Sequence, residues 1–245
     1  MSEYRVLTAG DTALVVEFGD CIDRRLSTWV LSLARALDQI RLDGIIETVP
    51  TYRSLIVHYD PLRLSATSLT STITTLMVDL PVREDAGRKW HIPACYDPSI
   101  APDLDYVAAE CGLTPRQVVE RHSGTTYHVY MIGFMPGLAY LGDVPAELVL
   151  PRRPSPRELV PPGSLAIATT MTCVYPVECP AGWHLIGRSP VEFLTRRPTP
   201  TTLLSPGDQV VFTPVSLREY QRLLGMASQG ILKIAPNEDF LGVAV

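Results

Sequence analysis

The sequence lacks the cysteine and histidine patterns that mark most metal and redox sites. Its five cysteines are an odd number at wide spacings, and no CxxC pair occurs. The five histidines do not form an HExxH motif. We therefore expect reduced thiols, as in a cytoplasmic protein, and no metal site in this chain.

Long apolar runs and surplus positive charge are also missing. No stretch of 18 apolar residues occurs, so we expect no membrane span, and the first ten residues lack the apolar core of a signal peptide. The formal net charge of -5 leaves no surplus of cations for nucleic-acid phosphates. Walker and GxGxxG motifs are absent as well, so no nucleotide site is visible.

Residues 1 to 85 predict a small α+β domain. The apolar run from Ala13 to Phe18 is typical of a buried strand, and Asp23 can cap a helix whose apolar residues recur at helical spacing. Two further runs, Ile45 to Val49 and Ser54 to Tyr59, predict strands around a turn. A second helix is predicted before Pro81. This order favours a sandwich-like open sheet with helices on one face.

A charged stretch without apolar periodicity, Val82 to Lys89, predicts a linker. Beyond it, residues 90 to 225 predict a second domain in which Pro and Gly separate many short apolar runs. Such spacing favours a compact β-barrel or β-sandwich. The overall fold class is therefore α+β, and residues 226 to 245 are predicted to form a tail.

Three helices are predicted in the second domain from their capping residues. Asp103 and Thr114 can each begin a short helix, and Thr114 is followed by a proline and then by a glutamine at the capping-box position. Ser216 and Glu219 predict a second capping box, for a helix that reaches Leu224.

Four segments of the second domain combine glycine, proline, aromatic and charged residues in ways that suit a binding site. In chain order they are YHVYMIGFMPGLAYLG (127–142), PRRPSPRELVPPGS (151–164), TTMTCVYP (169–176) and CPAGWHLIGRSP (179–190). The glycines of the first segment let backbone N–H groups approach a ligand, although a tight turn between two strands is the preferred interpretation.

The other three segments each leave two interpretations open. The arginines of the second segment either bind a carboxylate or phosphate or pair with surface acids. In the third, Cys173 is predicted to be a packed small residue rather than a nucleophile. In the fourth, Trp183 either lines a pocket or fills the core, and Arg188 either binds an anion or pairs with Glu192.

Taken in order, these segments and a later one, LLSPGDQVVFTP, resemble the allophanate-hydrolase-subunit-1 family, which includes the B-type subunit of 5-oxoprolinase and the sporulation-kinase inhibitor KipI. The resemblance spans roughly residues 9 to 214 and is strongest after Cys111. The sequence departs from the family pattern at Met171, where a glutamine is common, and at Ala181, where a glycine is usual. The loss of a side-chain amide at Met171 removes a hydrogen-bonding group.

The resemblance implies a fold, an activity and partners. The second domain should be a cyclophilin-like β-barrel. The chain should join a larger C-type subunit of related fold and an A-type subunit, and the complex should use ATP to open 5-oxoproline to glutamate. This chain should be inactive alone. Alternatives are a carboxyltransferase role in urea carboxylation, a KipI-like role as a histidine-kinase inhibitor, and a scaffold for the larger subunit.

The resemblance also suggests roles for individual residues. His122, Thr172 and Tyr175 are predicted to contact the reacting amide. Arg157 and Arg188 are predicted to hold the substrate carboxylate or a phosphorylated intermediate. The remaining predicted substrate-binding residues lie in the glycine-rich and aromatic parts of the segments: Phe134, Gly137, Tyr140 and Trp183.

Overall fold

The computed structural model describes residues 4–82, 87–195 and 201–238. These residues form two compact units that divide between residues 85 and 86. Part of the predicted linker, residues 83–86, and the end of the predicted tail, residues 239–245, lie outside the described residues. No helix in the described part of the chain is long and apolar enough to cross a membrane.

The first unit is a four-stranded antiparallel sheet with two helices. In chain order its elements are β1 (Arg5–Thr8), β2 (Ala13–Glu17), α1 (Arg24–Ile40), β3 (Ile45–Pro50), β4 (Ser54–Tyr59) and α2 (Ala66–Val78). The strands lie in the order β1-β2-β4-β3. The predicted order of strands and helices is confirmed, and β1 is an addition. Its four residues are mostly exposed, so they carry little apolar signal.

Buried and partly exposed residues alternate along the strands, and this alternation gives the sheet its apolar face. Leu55 and Val57 of β4 are fully buried while their neighbours are partly exposed, because successive side chains of a strand point to opposite faces. They pack in one core with Leu33 and Leu37 of α1, which lie four residues apart on one helical face. Asp23 caps α1 as predicted, by accepting a hydrogen bond from the Arg25 N–H at 2.7 Å.

The second unit contains the remaining strands, which are short. In chain order they are β5 (Lys89–Ala94), β6 (Tyr127–Ile132), β7 (Ala139–Gly142), β8 (Arg157–Val160), β9 (Ser164–Ala168), β10 (Met171–Val174), β11 (Cys179–Ala181), β12 (His184–Arg188), β13 (Leu194–Thr195), β14 (Thr201–Thr202) and β15 (Gln209–Pro214). Seven of them form one sheet in the order β12-β9-β10-β7-β6-β15-β5, and β11 pairs with β8 and β13 with β14.

The two edges of the seven-stranded sheet meet and nearly close it into a barrel. Cys95 follows β5, and Arg188 ends β12. Each donates a backbone hydrogen bond of 2.8 Å to the carbonyl of the other. Pairing of both edge strands removes the exposed backbone groups that an open sheet would present. The predicted barrel is confirmed.

Three α-helices and one 3₁₀ turn accompany the barrel within the described residues. They are α3 (Leu104–Glu110), α4 (Pro115–Ser123), the 3₁₀ turn Ala146–Leu148 and α5 (Leu217–Ser228). The capping box before α4 is confirmed. The Thr114 hydroxyl accepts from the Gln117 N–H, and the Gln117 side chain accepts from the Thr114 N–H at 2.8 Å.

The last helix differs from its prediction at both ends. Ser216 accepts a hydrogen bond from the Glu219 N–H, but the Glu219 carboxylate pairs with Arg222 rather than returning to the cap. The helix continues four residues past Leu224 to Ser228. A single Gly225 costs a helix only about 1 kcal/mol, which is too little to end it here.

Candidate functional site

The four segments that the sequence singled out meet at one pocket of about 220 Å³ on the barrel unit. It is bounded by the turn between β6 and β7, the loop before β8, the end of β10 and the strand β11. The lining residues are Phe134, Leu138, Tyr140, Arg152, Pro156, Cys173, Tyr175, Pro180, Ala181, Gly182 and Trp183. Four predicted substrate-site residues are therefore brought together: Phe134, Tyr140, Tyr175 and Trp183.

Aromatic rings and one cation determine the character of this pocket. The rings of Tyr140 and Trp183 meet edge to face, with centroids 5.9 Å apart. The guanidinium carbon of Arg152 lies 5.9 Å from the centroid of the Trp183 ring, within the range of a cation–π contact. Arg152 is the only charged residue among the described residues that line the pocket. The pocket thus suits a small, largely flat ligand with a negative group.

The turn between β6 and β7 forms the rim. Phe134 has a φ of 67° and is 68% exposed. A bulky residue in the left-handed region is strained, and such strain concentrates at functional sites. Gly137 has a φ of 82°, and a β-carbon there would lie 3.0 Å from the Leu194 β-carbon. Gly137, a predicted substrate-binding residue, therefore shapes the turn through its lack of a side chain.

The polar groups of the pocket stay protonated at neutral pH. Burial raises the pKa of the Cys173 thiol, and burial together with the neighbouring Cys173 raises the pKa of the Tyr175 hydroxyl. Burial also raises the pKa of Tyr140, although the Arg152 guanidinium opposes that shift. These groups can donate hydrogen bonds to a ligand. None of them is poised to remove a proton near pH 7.

His122 and Thr172, two of the predicted catalytic residues, lie together but do not line this pocket. Both are fully buried. Cys173 lines the pocket, so Thr172, its neighbour in β10, points to the opposite face of the strand. Its hydroxyl lies 3.0 Å from the Nε2 of His122. The structure therefore separates this pair from Tyr175.

The hydrogen bonds around His122 fix its protonation. The Thr172 hydroxyl donates to the Ala166 carbonyl at 2.9 Å, so it must accept from an Nε2–H of the imidazole. The Nδ1 then accepts from the Tyr96 hydroxyl at 2.9 Å. Burial lowers the pKa of His122 to about 3. The imidazole is thus neutral and satisfied on both sides, as a residue that holds β10 in place would be.

Arg157 pairs with Asp103. Its Nη2 donates to the Asp103 carboxylate at 2.7 Å, and Arg153 donates to the same oxygen at 3.1 Å. The other carboxylate oxygen accepts from the backbone N–H of Leu185 at 2.7 Å. The prediction that the Asp103 side chain caps α3 is therefore wrong, because the carboxylate is occupied by two arginines and the barrel backbone. Arg157 does not line the pocket.

Arg188 also lies away from the pocket lining. Its Nη2 donates to the carbonyl of Pro162 at 2.8 Å, and its backbone closes the barrel against Cys95. No ion pair joins Arg188 to Glu192 in the part of the chain that the structure describes, so the alternative partner predicted for Arg188 is replaced by a backbone carbonyl.

The pocket also contains residues whose roles the sequence did not separate. Arg152 belongs to the arginine-rich segment, but residue type alone could not distinguish it from Arg153 and Arg157. Cys173 is buried, as a packed residue would be, and it also forms part of the pocket wall. The signal that identifies Arg152 is its position beside Trp183, which only the fold provides.

The family follows from a match over most of the chain. The model of the carboxyltransferase domain, subdomain C and D, matches residues 4–204. The chain belongs to this family. The resemblance carried by the four segments is thereby confirmed.

Three known proteins illustrate the similarity. The B-type subunit of 5-oxoprolinase from Bacillus subtilis is 33% identical over 228 residues, which are 89% of this chain and 95% of that protein. The crystal structure of TTHA0988 is 36% identical with a TM-score of 0.74, over 83% of this chain and 40% of that one. The K. lactis urea amidolyase has a TM-score of 0.78 at 19% identity, over 96% of this chain and 16% of that one. The last likeness shows the fold alone.

Proposed function

We propose that this chain is the B-type subunit of an ATP-dependent 5-oxoprolinase and that its barrel pocket receives the cyclic amide. The observation that carries the proposal is the 33% identity to the B-type 5-oxoprolinase subunit of Bacillus subtilis, of which the chain covers 95%. Because the match covers nearly the whole of that protein, it supports an equivalent role as a subunit rather than a shared fragment of a larger protein.

The character of the pocket supports this substrate. 5-Oxoproline is a flat five-membered lactam that carries one carboxylate. A cavity of about 220 Å³ with aromatic walls and a single cation suits a ligand of that size and charge. Phe134, Tyr140 and Trp183 would pack against the ring, and Gly137 would hold the turn that presents Phe134.

We propose that Tyr175, which lines the pocket, contacts the amide. Its hydroxyl stays protonated, because burial raises its pKa, and it can therefore donate to a lactam carbonyl on which negative charge develops. His122 and Thr172 would act indirectly, by holding in place the strand that carries Cys173 and leads to Tyr175. We propose positioning roles for these two residues.

The rest of the chemistry would come from partner subunits. The described pocket residues include no group poised as a base at neutral pH, and the sequence shows no nucleotide motif. We propose that an A-type subunit and a larger C-type subunit supply the base and the ATP site. ATP would activate the amide for opening, while this chain binds and orients the substrate.

A carboxyltransferase role in urea carboxylation is the second candidate. The fold likeness to the K. lactis urea amidolyase favours it, as does the family description. The identity of 19% is far below the 33% shared with the 5-oxoprolinase protein, so the lactam remains the first choice. A role as a kinase inhibitor stays a prediction.

The experiment is to produce the chain with its A-type and C-type partners and to purify the complex. We expect ATP-dependent release of glutamate from 5-oxoproline and no ATP-dependent carboxylation of urea. The complex carrying Tyr175→Phe should lose kcat, because the hydroxyl is then absent while the ring remains. Carboxylation of urea without glutamate release would replace the first proposal by the second.

A further inference from the structure

Arg152, Arg153 and Arg157 lie within six residues of one another but have different partners. Arg153 and Arg157 both donate to the carboxylate of Asp103, whose side chain is 6% exposed. Among the described residues no carboxylate pairs with Arg152, and its guanidinium lies over Trp183 instead. Arg152 is therefore the member of the group whose charge is available to a ligand in the pocket.

The contact with Trp183 favours carboxylate binding. A guanidinium held against an indole ring keeps its N–H donors available in its own plane. Those donors form a fork that matches the two oxygens of a carboxylate. A lysine ammonium is a point charge without this geometry. Such a geometry would distinguish a planar anion from a neutral ligand of the same shape.

Several hydrogen bonds hold the loop that carries Arg152. The Arg153 N–H donates to the Gly182 carbonyl at 2.9 Å, next to Trp183. Asp103 then ties Arg153 and Arg157 to the backbone of Leu185 through its two carboxylate oxygens. The bonds to Gly182 and Leu185 thus lie on both sides of Trp183 and tie its segment to the loop just after Arg152. Asp103 can therefore hold the cation in place without lining the pocket.

We infer that Arg152 binds the carboxylate of the substrate, so that the pocket selects an anionic lactam over a neutral one, and that Asp103 is its positioning residue. The inference rests on the proposed function, because the substrate it names is the lactam of that proposal. It adds the group that is recognised and the residue that recognises it.

The test compares two ligands on the purified complex without ATP. 5-Oxoproline and 2-pyrrolidone share the lactam ring, but only the first has a carboxylate. We expect the wild-type complex to prefer 5-oxoproline by roughly tenfold to a hundredfold in dissociation constant, the range of a charge-assisted hydrogen bond. Arg152→Met should remove most of that preference, and Arg152→Lys should retain part of it.

Two controls separate recognition from general damage. Arg116→Met removes an arginine whose side chain is 86% exposed on α4, and it should leave the preference unchanged. Asp103→Asn should reduce the preference, and Asp103→Glu should restore part of it. Val118→Ala, which creates a cavity in the buried core, should lower the melting temperature without changing the preference. A reduced preference in Asp103→Asn but not in Val118→Ala therefore identifies Asp103 as a positioning residue.

The outcomes distinguish this inference from the proposed function. A wild-type complex without preference, or an Arg152→Met complex that keeps it, overturns the inference, even if the complex releases glutamate with ATP. An Arg152-dependent preference in a complex that releases no glutamate supports the carboxylate site and contradicts the proposed function. A preference that Asp103→Asn leaves intact overturns the positioning role.

Discussion

Asp103 and Arg157 form an ion pair of 2.7 Å in which the carboxylate is almost completely buried. The two residues are far apart in sequence, and the pair joins the start of α3 to the start of β8. Arg153 shares the same oxygen. One carboxylate therefore organises the loop beside the pocket.

Asp103→Asn should destabilise the barrel unit. Breaking a buried ion pair leaves charges without a partner, and we expect a loss of about 3 kcal/mol in the free energy of unfolding, the lower end of the usual range, because both arginines keep some contact with water. Urea denaturation measures it. Asp105→Asn, at an exposed position two residues later in α3, is the matched control. Equal stability of the two variants would contradict the structural role of Asp103.

Arg188→Met should affect stability and leave substrate binding unchanged. The substitution removes the bond to the Pro162 carbonyl. We expect the free energy of unfolding to fall by about 0.5–1.5 kcal/mol, the range of an ordinary hydrogen bond, because this bond is exposed to solvent. A thermal melt and steady-state kinetics on the same complex test it. A raised Michaelis constant at an unchanged melting temperature would instead assign Arg188 to the substrate.

Cys173→Ala should leave most of the activity of the assembled enzyme. Burial raises the pKa of this thiol, so the thiolate that a nucleophile requires is scarce at neutral pH. We expect kcat to fall less than about tenfold, since only a small part of the pocket wall is removed. A loss of about a thousandfold or more, measured as glutamate release, would show that Cys173 is a nucleophile.

His122 should make stability depend on pH. Its pKa is about 3 in the folded chain and about 6.5 when unfolded. The unfolded state therefore binds a proton first as the pH falls below about 6.5, and stability is lost between about pH 6.5 and 3.

Acidification from pH 7 to pH 5 should lower the free energy of unfolding by about 2 kcal/mol through this residue, because each pH unit contributes roughly 1.4 kcal/mol. Urea denaturation of the wild-type chain and of His122→Gln at both pH values measures the difference. The variant should be less stable at pH 7 and show a smaller decrease on acidification. An equal decrease in both proteins would mean that His122 does not titrate in this window.

Much of the fold could be predicted because the local signals agree. Thr114 with Gln117 marks the start of α4, alternation marks β4, and the Pro- and Gly-separated apolar runs indicate a barrel. The four segments predicted for the site all contribute to the pocket. Their glycines indicate a turn and their aromatic residues indicate a pocket wall, even without knowledge of the residues that pack against them.

The remaining features of the site depend on contacts between residues that are far apart in sequence. The sequence MTCV of β10 is apolar or small on both faces, so the pattern cannot tell whether Thr172 or Cys173 points to the pocket. From the sequence, Arg157 rather than Arg152 is predicted to bind the anion, because the sequence does not reveal that the carboxylate of Asp103, far earlier in the chain, binds Arg157. The side-chain partner, rather than the residue type, decides which arginine is available.

The most direct test of the proposal that this chain works only within a complex is an assay of glutamate release from 5-oxoproline. The assay compares this chain alone, the proposed A-type and C-type partners alone, and all three together. We predict ATP-dependent release by the three together and none by either part, because the proposal assigns the pocket to this chain and the base and the ATP site to its partners. Turnover by the isolated chain, or full turnover by the partners without it, would contradict the proposed division of roles.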